Sequence, residues 1–355
     1  MPVPFFRWSL EEAPRPAHIV AAMLGMTVPI LAGVLLGRTE AGMAAGMGGL
    51  ALGGGAQGAT VSAQAKRLGL AIGVGSAALL VGTLLGQAPV LTLIGLPAVG
   101  MLAALIGSIS MPLVRLSAQF VIFTAIATHL GAQHAPVIGS TILFATGAAW
   151  TAGVFLVLTR VLGEAADDGP AQPGQTANPA AKRPSASAHL KRWRASLRTV
   201  SGWQFAIRLG SCLACAEVAA WYWPLHHAYW IALTVVITLE RRLPAPPVRV
   251  LERLAGTAAG VLLAGLLLLG SPPIWALIGM VAILAGARAF LRTVNYTAYA
   301  AIMTPLILIL LDFDQMPTVD ILVDRLLATA AGCGITLLVG YLAWRGYRPA
   351  PKAGT

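Results

Sequence analysis

LGLAIGVGSAALLVGTLLG, residues 68–86, is a run of 19 residues without one charged side chain. As a helix it is about 28 Å long at 1.5 Å per residue, close to the roughly 30 Å of a bilayer's hydrocarbon core. Lys66 and Arg67 stand immediately before it. Gln87-Ala88-Pro89 closes it. An apolar segment with a basic pair at one end and a turn at the other reads as a membrane-spanning helix whose start faces the cytoplasm.

The pattern repeats along the chain. Spans are expected at 17–37, 41–59, 68–86, 90–108, 112–131 and 136–160, and again at 203–223, 227–240, 254–270, 273–291, 296–311 and 325–345. The expected fold is therefore an all-α integral membrane protein of about 12 transmembrane helices. Composition agrees: 57% of residues are hydrophobic, 10% are charged, and mean hydropathy is +0.78. A water-exposed surface needs about a quarter charged residues, so a soluble domain is excluded. The run from Ala17 to Gly37 is longer than a signal-peptide core, and Arg38-Thr39-Glu40 follows where small cleavage-site residues would stand, so it reads as a retained span.

The net charge of +11 would suit a nucleic-acid partner, but its distribution argues for topology. Placing the N-terminus inside puts 21 of the 24 Lys and Arg residues in cytoplasmic loops, leaving Arg38 and Arg325 outside and Arg208 within a span. This split is what the positive-inside rule produces. It requires an even number of spans and both termini in the cytoplasm. Asp312, Asp314, Asp320 and Asp324 mark the outer side, either as a solvated acidic loop or as a cation or proton antenna.

Residues 163–188 (GEAADDGPAQPGQTANPAAKRPSASA) carry no aromatic residue and read as a disordered linker. In 189–199, Leu190, Trp193 and Leu197 share one face and basic residues fill the other, as in an amphipathic helix on the inner leaflet. The linker divides the chain into a first transmembrane half (1–162) and a second (200–346), followed by a tail (347–355). Lys66-Arg67-Leu68-Gly69 and Glu252-Arg253-Leu254-Ala255-Gly256 open comparable spans about 186 residues apart. Six spans per half give two parallel six-helix repeats about an axis normal to the membrane. Glycines four apart (Gly42/Gly46, Gly69/Gly73, Gly256/Gly260) are expected to let helices approach closely.

No phosphate-binding loop, zinc-protease motif or nucleophile elbow occurs, so the chain is not expected to be an enzyme and no cofactor is expected. Cys212 and Cys215 form C-x-x-C on a helix without a second pair, and small packing residues are the better reading than metal or redox. Ionisable and polar groups at membrane depth are the functional candidates. Arg208 either binds an anion or snorkels to the inner surface. Glu217 either carries a proton or makes a structural hydrogen bond to another helix, and His226 and His227 could carry protons. Tyr229, Trp230 and Thr234 form either an interfacial belt or the wall of a cavity for an aromatic ring. Asn295 and Tyr299 share a helix face before Pro305, which frees the carbonyl near position 301 and kinks the helix. Gln119 with Ser117 is their first-half counterpart, and Pro29 kinks the first span.

These residues carry a resemblance. A small-residue helix ends at Trp223. His227-Ala228-Tyr229-Trp230-x-x-Leu233-Thr234, a basic loop and Arg253-x-x-Gly256-Thr257-x-x-Gly260 follow, and Arg325-x-x-x-Thr329-x-x-Gly332 echoes the last motif. The stretch resembles the fusaric acid resistance protein-like family, which includes bacterial aromatic acid exporters and is related to plant aluminium-activated malate transporters. The resemblance covers about 200–345, and the first half looks like a degenerate copy. The cytoplasmic domain that longer members carry between halves is here only a linker. The resemblance implies a bacterial inner-membrane secondary transporter that exports organic, often aromatic, carboxylate anions with the proton gradient. Arg208 would pair with the carboxylate, and Tyr229, Trp230 and Tyr299 would stack on the ring. Arg253, Gly256, Thr257, Gly260, Arg325 and Gly332 would serve as motif and packing positions. Expected partners are the anion, the lipid bilayer, a second copy in a homodimer and a periplasmic adaptor protein, not nucleic acid. The rival readings are a passive organic-anion channel and a non-transporting scaffold.

Overall fold

A computed structural model describes residues 8, 14–52, 61–162, 191, 193–223, 227–241, 248–268, 270–311 and 318–346. Among these residues the chain is helical, with no strand. The first half contains α1 (Pro16–Leu35), α2 (Thr39–Ala51), α3 (Val61–Gly86), α4 (Pro89–Gly107), α5 (Met111–Ala132) and α6 (Val137–Val161). The second contains α7 (Val200–Tyr222), α8 (Tyr229–Thr238), α9 (Val248–Leu268), α10 (Ile274–Val294), α11 (Tyr296–Leu311) and α12 (Val319–Ile335), which continues through a π-turn at Thr336–Tyr341 to Trp344. Each of the twelve expected spans is met by one helix. Nine of these are long and apolar enough to cross a membrane among the described residues. The other three are α2, α8 and α11, with 13, 10 and 16 helical residues.

Helix boundaries depart from expectation where a helix begins with polar residues. Hydropathy starts a span at its first apolar residue, whereas backbone hydrogen bonding starts earlier. So α3 begins at Val61 rather than 68, α9 at Val248 rather than 254, and α12 at Val319 rather than 325. This changes the placement of Arg253 and Arg325, which the charge count put in loops; Arg288, counted there too, already falls within the expected span 273–291. Arg253, Arg288 and Arg325 lie inside helices and are 2%, 5% and 1% exposed. By contrast Lys66, Arg67, Arg115, Arg160, Arg292 and Arg345 are exposed near the helix ends expected to face inside, the basic end of the bundle.

The helix pairings recur when the numbering is shifted by six. The first half pairs α1 with α2, α1 with α6, α2 with α6, α3 with α5, α3 with α6 and α4 with α5. The second half pairs α7 with α8, α7 with α12, α8 with α12, α9 with α11, α9 with α12 and α10 with α11. Contacts between halves are reciprocal too: α4 packs on α7 as α10 packs on α1, and α5 meets α8 as α11 meets α2. The contact of α3 with α4 has no strong counterpart. This is the helix arrangement that two parallel six-helix repeats produce.

Glycine allows the closest crossings, but not at every expected pair. A Cβ on Gly256 would lie 2.6 Å from the Thr297 carbonyl oxygen, and one on Gly260 would lie 2.5 Å from that of Ala301. Ala301 is the residue whose carbonyl Pro305 leaves without an in-helix donor. That oxygen lies against Gly260, where α9 crosses α11. Gly42 and Gly46 similarly meet α1 at Gly33 and Ile30. Gly69 and Gly73, by contrast, have nothing within 4 Å of a would-be Cβ. The tight approach of α3 to α5 is made instead by Gly82 and Gly86 against the backbone of Thr124 and Thr128. A four-residue spacing marks a helix face but does not say which face meets a neighbour.

Candidate functional site

The polar side chains expected to form one site lie in two clusters at opposite ends of α8. Tyr229 is the first residue of that helix, and Arg208 reaches Glu240, two residues past its end. Eleven residues at 1.5 Å each separate the two positions by about 16 Å.

The cluster away from the basic end is aromatic. Tyr229 stacks on His129 of α5, with ring centroids 4.4 Å apart, and His129 also lies 5.2 Å from His227. His227 in turn stacks on Trp230 at 4.6 Å, and the Arg325 guanidinium sits 4.4 Å from the Trp230 centroid. Trp230 is fully buried, and Tyr229, His227 and His129 are nearly so. A cation over a desolvated indole face is worth about 2 kcal/mol, which helps offset the burial of Arg325. In this conformation the indole is covered by protein groups rather than open to a guest ring. Thr234 packs on Gly332, where a Cβ would come within 2.7 Å of it, and Thr329 caps its own helix turn through the Arg325 carbonyl. Glu217 is 9% exposed on α7 and makes no hydrogen bond or ion pair among the described residues. Exposed Trp221, Tyr222 and Trp223 follow it, consistent with an interfacial belt. His226, Asp312 and Asp314 lie outside the described residues, as do residues 163–188; Asp320 and Asp324 stand on α12 beside Arg325.

At the basic end, two buried arginines serve the C-terminal ends of the two shortest helices. Arg208 is fully buried. Its Nε donates to the Gly340 carbonyl at 2.7 Å and its Nη1 to the Glu240 carbonyl at 3.2 Å, with the Tyr341 ring 5.0 Å away. Arg288 of α10 donates to the Gly49 and Leu50 carbonyls of α2 at 3.3 and 3.5 Å. The last carbonyls of a helix lack in-helix donors and carry the negative end of its dipole, so a cation there is favourable. Broken helices in lipid need such partners. Arg241 and Trp193 do the same for α4, donating to Ala104 and Leu105 at 2.9 Å each. Residues 193–196 are helical, and this bond ties the expected interfacial segment to the first half.

Asn295 and Tyr299 also fall at the basic end. The Asn295 side chain accepts the Ala298 N–H at 2.9 Å and so caps α11. Tyr299 stacks on Tyr296 at 6.1 Å, and Arg249 lies 4.9 Å from the Tyr296 centroid while pairing with Glu240 at 3.9 Å. Gln119 bonds the Ala71 carbonyl at 3.0 Å, joining α5 to α3, and Ser117 bonds back to Val114. The structure therefore brings Tyr229, Trp230 and Thr234 together, groups Asn295 and Tyr299 elsewhere, and occupies Arg208 with backbone. Among the described residues no three His, Cys, Asp or Glu could hold a metal; Cys212 is buried, Cys215 exposed, and both are free.

His129 joins the aromatic cluster from the first half. Its importance comes from α5 meeting α8 across the two halves, which no local pattern reveals. Arg288 fits the positive-inside pattern as a cytoplasmic charge, and that pattern gives no sign of its bonds to α2.

Fold and sites together define a multi-pass, all-helical membrane protein with charged groups held at membrane depth. Residues 213–339 match the family described as fusaric acid resistance protein-like, so the resemblance read from the sequence holds across that stretch. An uncharacterised protein of Haemophilus influenzae is 31% identical over 131 residues, covering 37% of this chain and 18% of that protein. The chain thus spans less than a fifth of that relative's length in alignment. No solved structure matches. The family match points to a membrane transport or efflux role.

Proposed function

We propose that the protein is a secondary transporter of the bacterial inner membrane that exports organic anions, aromatic carboxylates among them, using the proton gradient. The observation that carries this reading is the concentration of buried charge in the half that matches the family: Arg208, Glu217, Arg253, Arg288 and Arg325, each on a membrane-spanning helix. Ionisable groups are costly there and mark transport pathways. A second support is the placement of short helices. α2 and α8 occupy equivalent positions in their halves and both lie on the boundary, against α11 and α5. Discontinuous helices at a repeat boundary are where transporters bind substrate.

In this reading Tyr229, Trp230 and Thr234, with His129 and His227, form the gate at the far end, and the ring contacts there open when substrate leaves. Glu217 and His227 are the proton-coupling candidates. The test is flux of radiolabelled benzoate and related acids in membrane vesicles expressing the protein. Uptake into inverted vesicles should need an imposed pH gradient and fall with Glu217→Gln. Flux unaffected by collapse of the gradient would remove proton coupling. Single-channel currents in planar bilayers would replace the carrier with a channel.

A further inference from the structure

Arg253 is the buried cation for which the fold supplies no counter-group. It is 2% exposed, its Nε is buried without a hydrogen-bond partner, and no hydrogen bond or ion pair reaches the guanidinium among the described residues. Arg208 and Arg288 bond helix-end carbonyls and Arg325 sits over Trp230. Arg253 has none of these arrangements. A charged group out of water costs several kcal/mol unless it is paired. The positive-inside rule does not account for it either, since that rule needs only arginines that reach water, as Arg249 does.

The surroundings contain further unsatisfied donors. Gly256, one turn beyond Arg253, packs against the Thr297 backbone at the α9–α11 crossing. Tyr296 is the neighbour of Thr297, it interacts electrostatically with Arg253, and its hydroxyl is buried without a partner. Thr257, on the same face of α9 four residues after Arg253, also has a buried hydroxyl with no partner. Towards the basic end, Arg249 lies over the Tyr296 ring and pairs with Glu240, both half-exposed. Polar groups thus run from a surface ion pair to a buried guanidinium, and among the described residues the Arg253 Nε and the Tyr296 and Thr257 hydroxyls have no hydrogen-bond partner.

We propose that Arg253, with the Tyr296 hydroxyl, forms an oxyanion-binding site at the basic end of the second half, occupied by the carboxylate of a small organic acid loaded from the cytoplasm. This rests on the transport reading and names its loading site. Arg253 is 2% exposed on α9, a helix that packs on both α11 and α12, and such burial favours a small soluble carboxylate over a phospholipid headgroup. The guanidinium fork fits a carboxylate through two parallel bonds.

The experiment uses the full chain purified in detergent, with benzoate as probe, benzamide as its uncharged analogue, and calorimetry and thermal stability as readouts. Wild type is expected to bind benzoate and not benzamide. Arg253→Gln should weaken benzoate about 10- to 100-fold, the value of a charge-assisted bond, and Tyr296→Phe about tenfold. Removing an uncompensated charge should also leave ligand-free Arg253→Met as stable as wild type or more so, an effect opposite to that of losing a structural tie. Benzoate affinity unchanged in Arg253→Gln overturns the proposal, as does equal binding of benzamide, lower ligand-free stability of Arg253→Met, or competition by phosphatidylglycerol with no benzoate bound. Flux separates the two readings. Benzoate binding lost in Arg253→Gln without transport by wild type leaves the site standing and removes the transporter. Unaltered saturable flux in Arg253→Gln does the reverse.

Discussion

Gly256→Ala and Gly73→Ala make the same chemical change at two glycines that look alike in the sequence, and the fold makes their outcomes opposite. A Cβ at 256 would sit 2.6 Å from the Thr297 carbonyl oxygen and 2.7 Å from the Ala300 Cβ. The first neighbour is backbone and cannot swing away. An ordinary contact needs about 3.4 Å or more between such atoms, so α9 and α11 must separate by roughly 0.8 Å along the crossing or the local backbone must shift. Overpacking of this kind costs about 1–3 kcal/mol. The same separation loosens the Gly260 contact with the Ala301 carbonyl one turn on, since one crossing holds both. A Cβ at 73 meets nothing within 4 Å, and alanine there removes a glycine from a helix interior at no steric cost. Thermal unfolding of the two variants in detergent, followed by size-exclusion chromatography after heating, should show Gly256→Ala well below wild type and Gly73→Ala at or above it. Equal stability of the two, or loss confined to Gly73→Ala, would refute the assignment of the tight crossing to α9 and α11.

Three other outcomes are expected. Arg208→Met removes two charge-assisted bonds to the Gly340 and Glu240 carbonyls and should cost about 3 kcal/mol or more of stability, with little recovery in Arg208→Lys; a stable variant that loses only anion binding would return Arg208 to the ligand. Thr238 and Thr336 share a hydroxyl contact of 2.9 Å between α8 and α12, and a double-mutant cycle with valine should give a coupling of about 0.6 kcal/mol, the usual value within membranes, where a cycle at zero would separate the two helices. His129→Leu should raise the exposure of Tyr229 and Trp230, read as quenching of tryptophan fluorescence by acrylamide, and unchanged quenching would place the α5–α8 contact elsewhere.

Existence and order of the helices were legible because lipid demands an uninterrupted apolar length and an internal partner for every backbone group. That requirement writes itself into composition, and twelve expected segments met twelve helices. The family stretch was legible for a related reason: its motifs are short and each lies within one helix, Tyr229-Trp230 on α8, Arg253-x-x-Gly256 on α9 and Arg325-x-x-x-Thr329-x-x-Gly332 on α12. Shortness was legible in part. Segment 41–59 is glycine-rich and segment 227–240 is the shortest of the twelve, and the helices found there are the two shortest, ending at Ala51 and Thr238.

The role of each buried charge lay beyond the sequence. Lys66 and Arg253 both precede a glycine-containing apolar run, but one is solvated and the other enclosed. Exposure depends on which neighbours cover a helix face, and helices far apart in the chain decide that. Arg288 is assigned by α2, more than 200 residues away; Tyr229 by His129 on the opposite half; Gly260 by a carbonyl that Pro305 released. The sequence by itself determined a membrane protein of twelve helical segments in two comparable halves, because burial in lipid is a property of each segment alone. Only the tertiary structure decided which arginines tie helix ends, which one covers an aromatic ring and which one is buried without a hydrogen bond among the described residues, because pairing a charge depends on groups that the chain brings together from both halves.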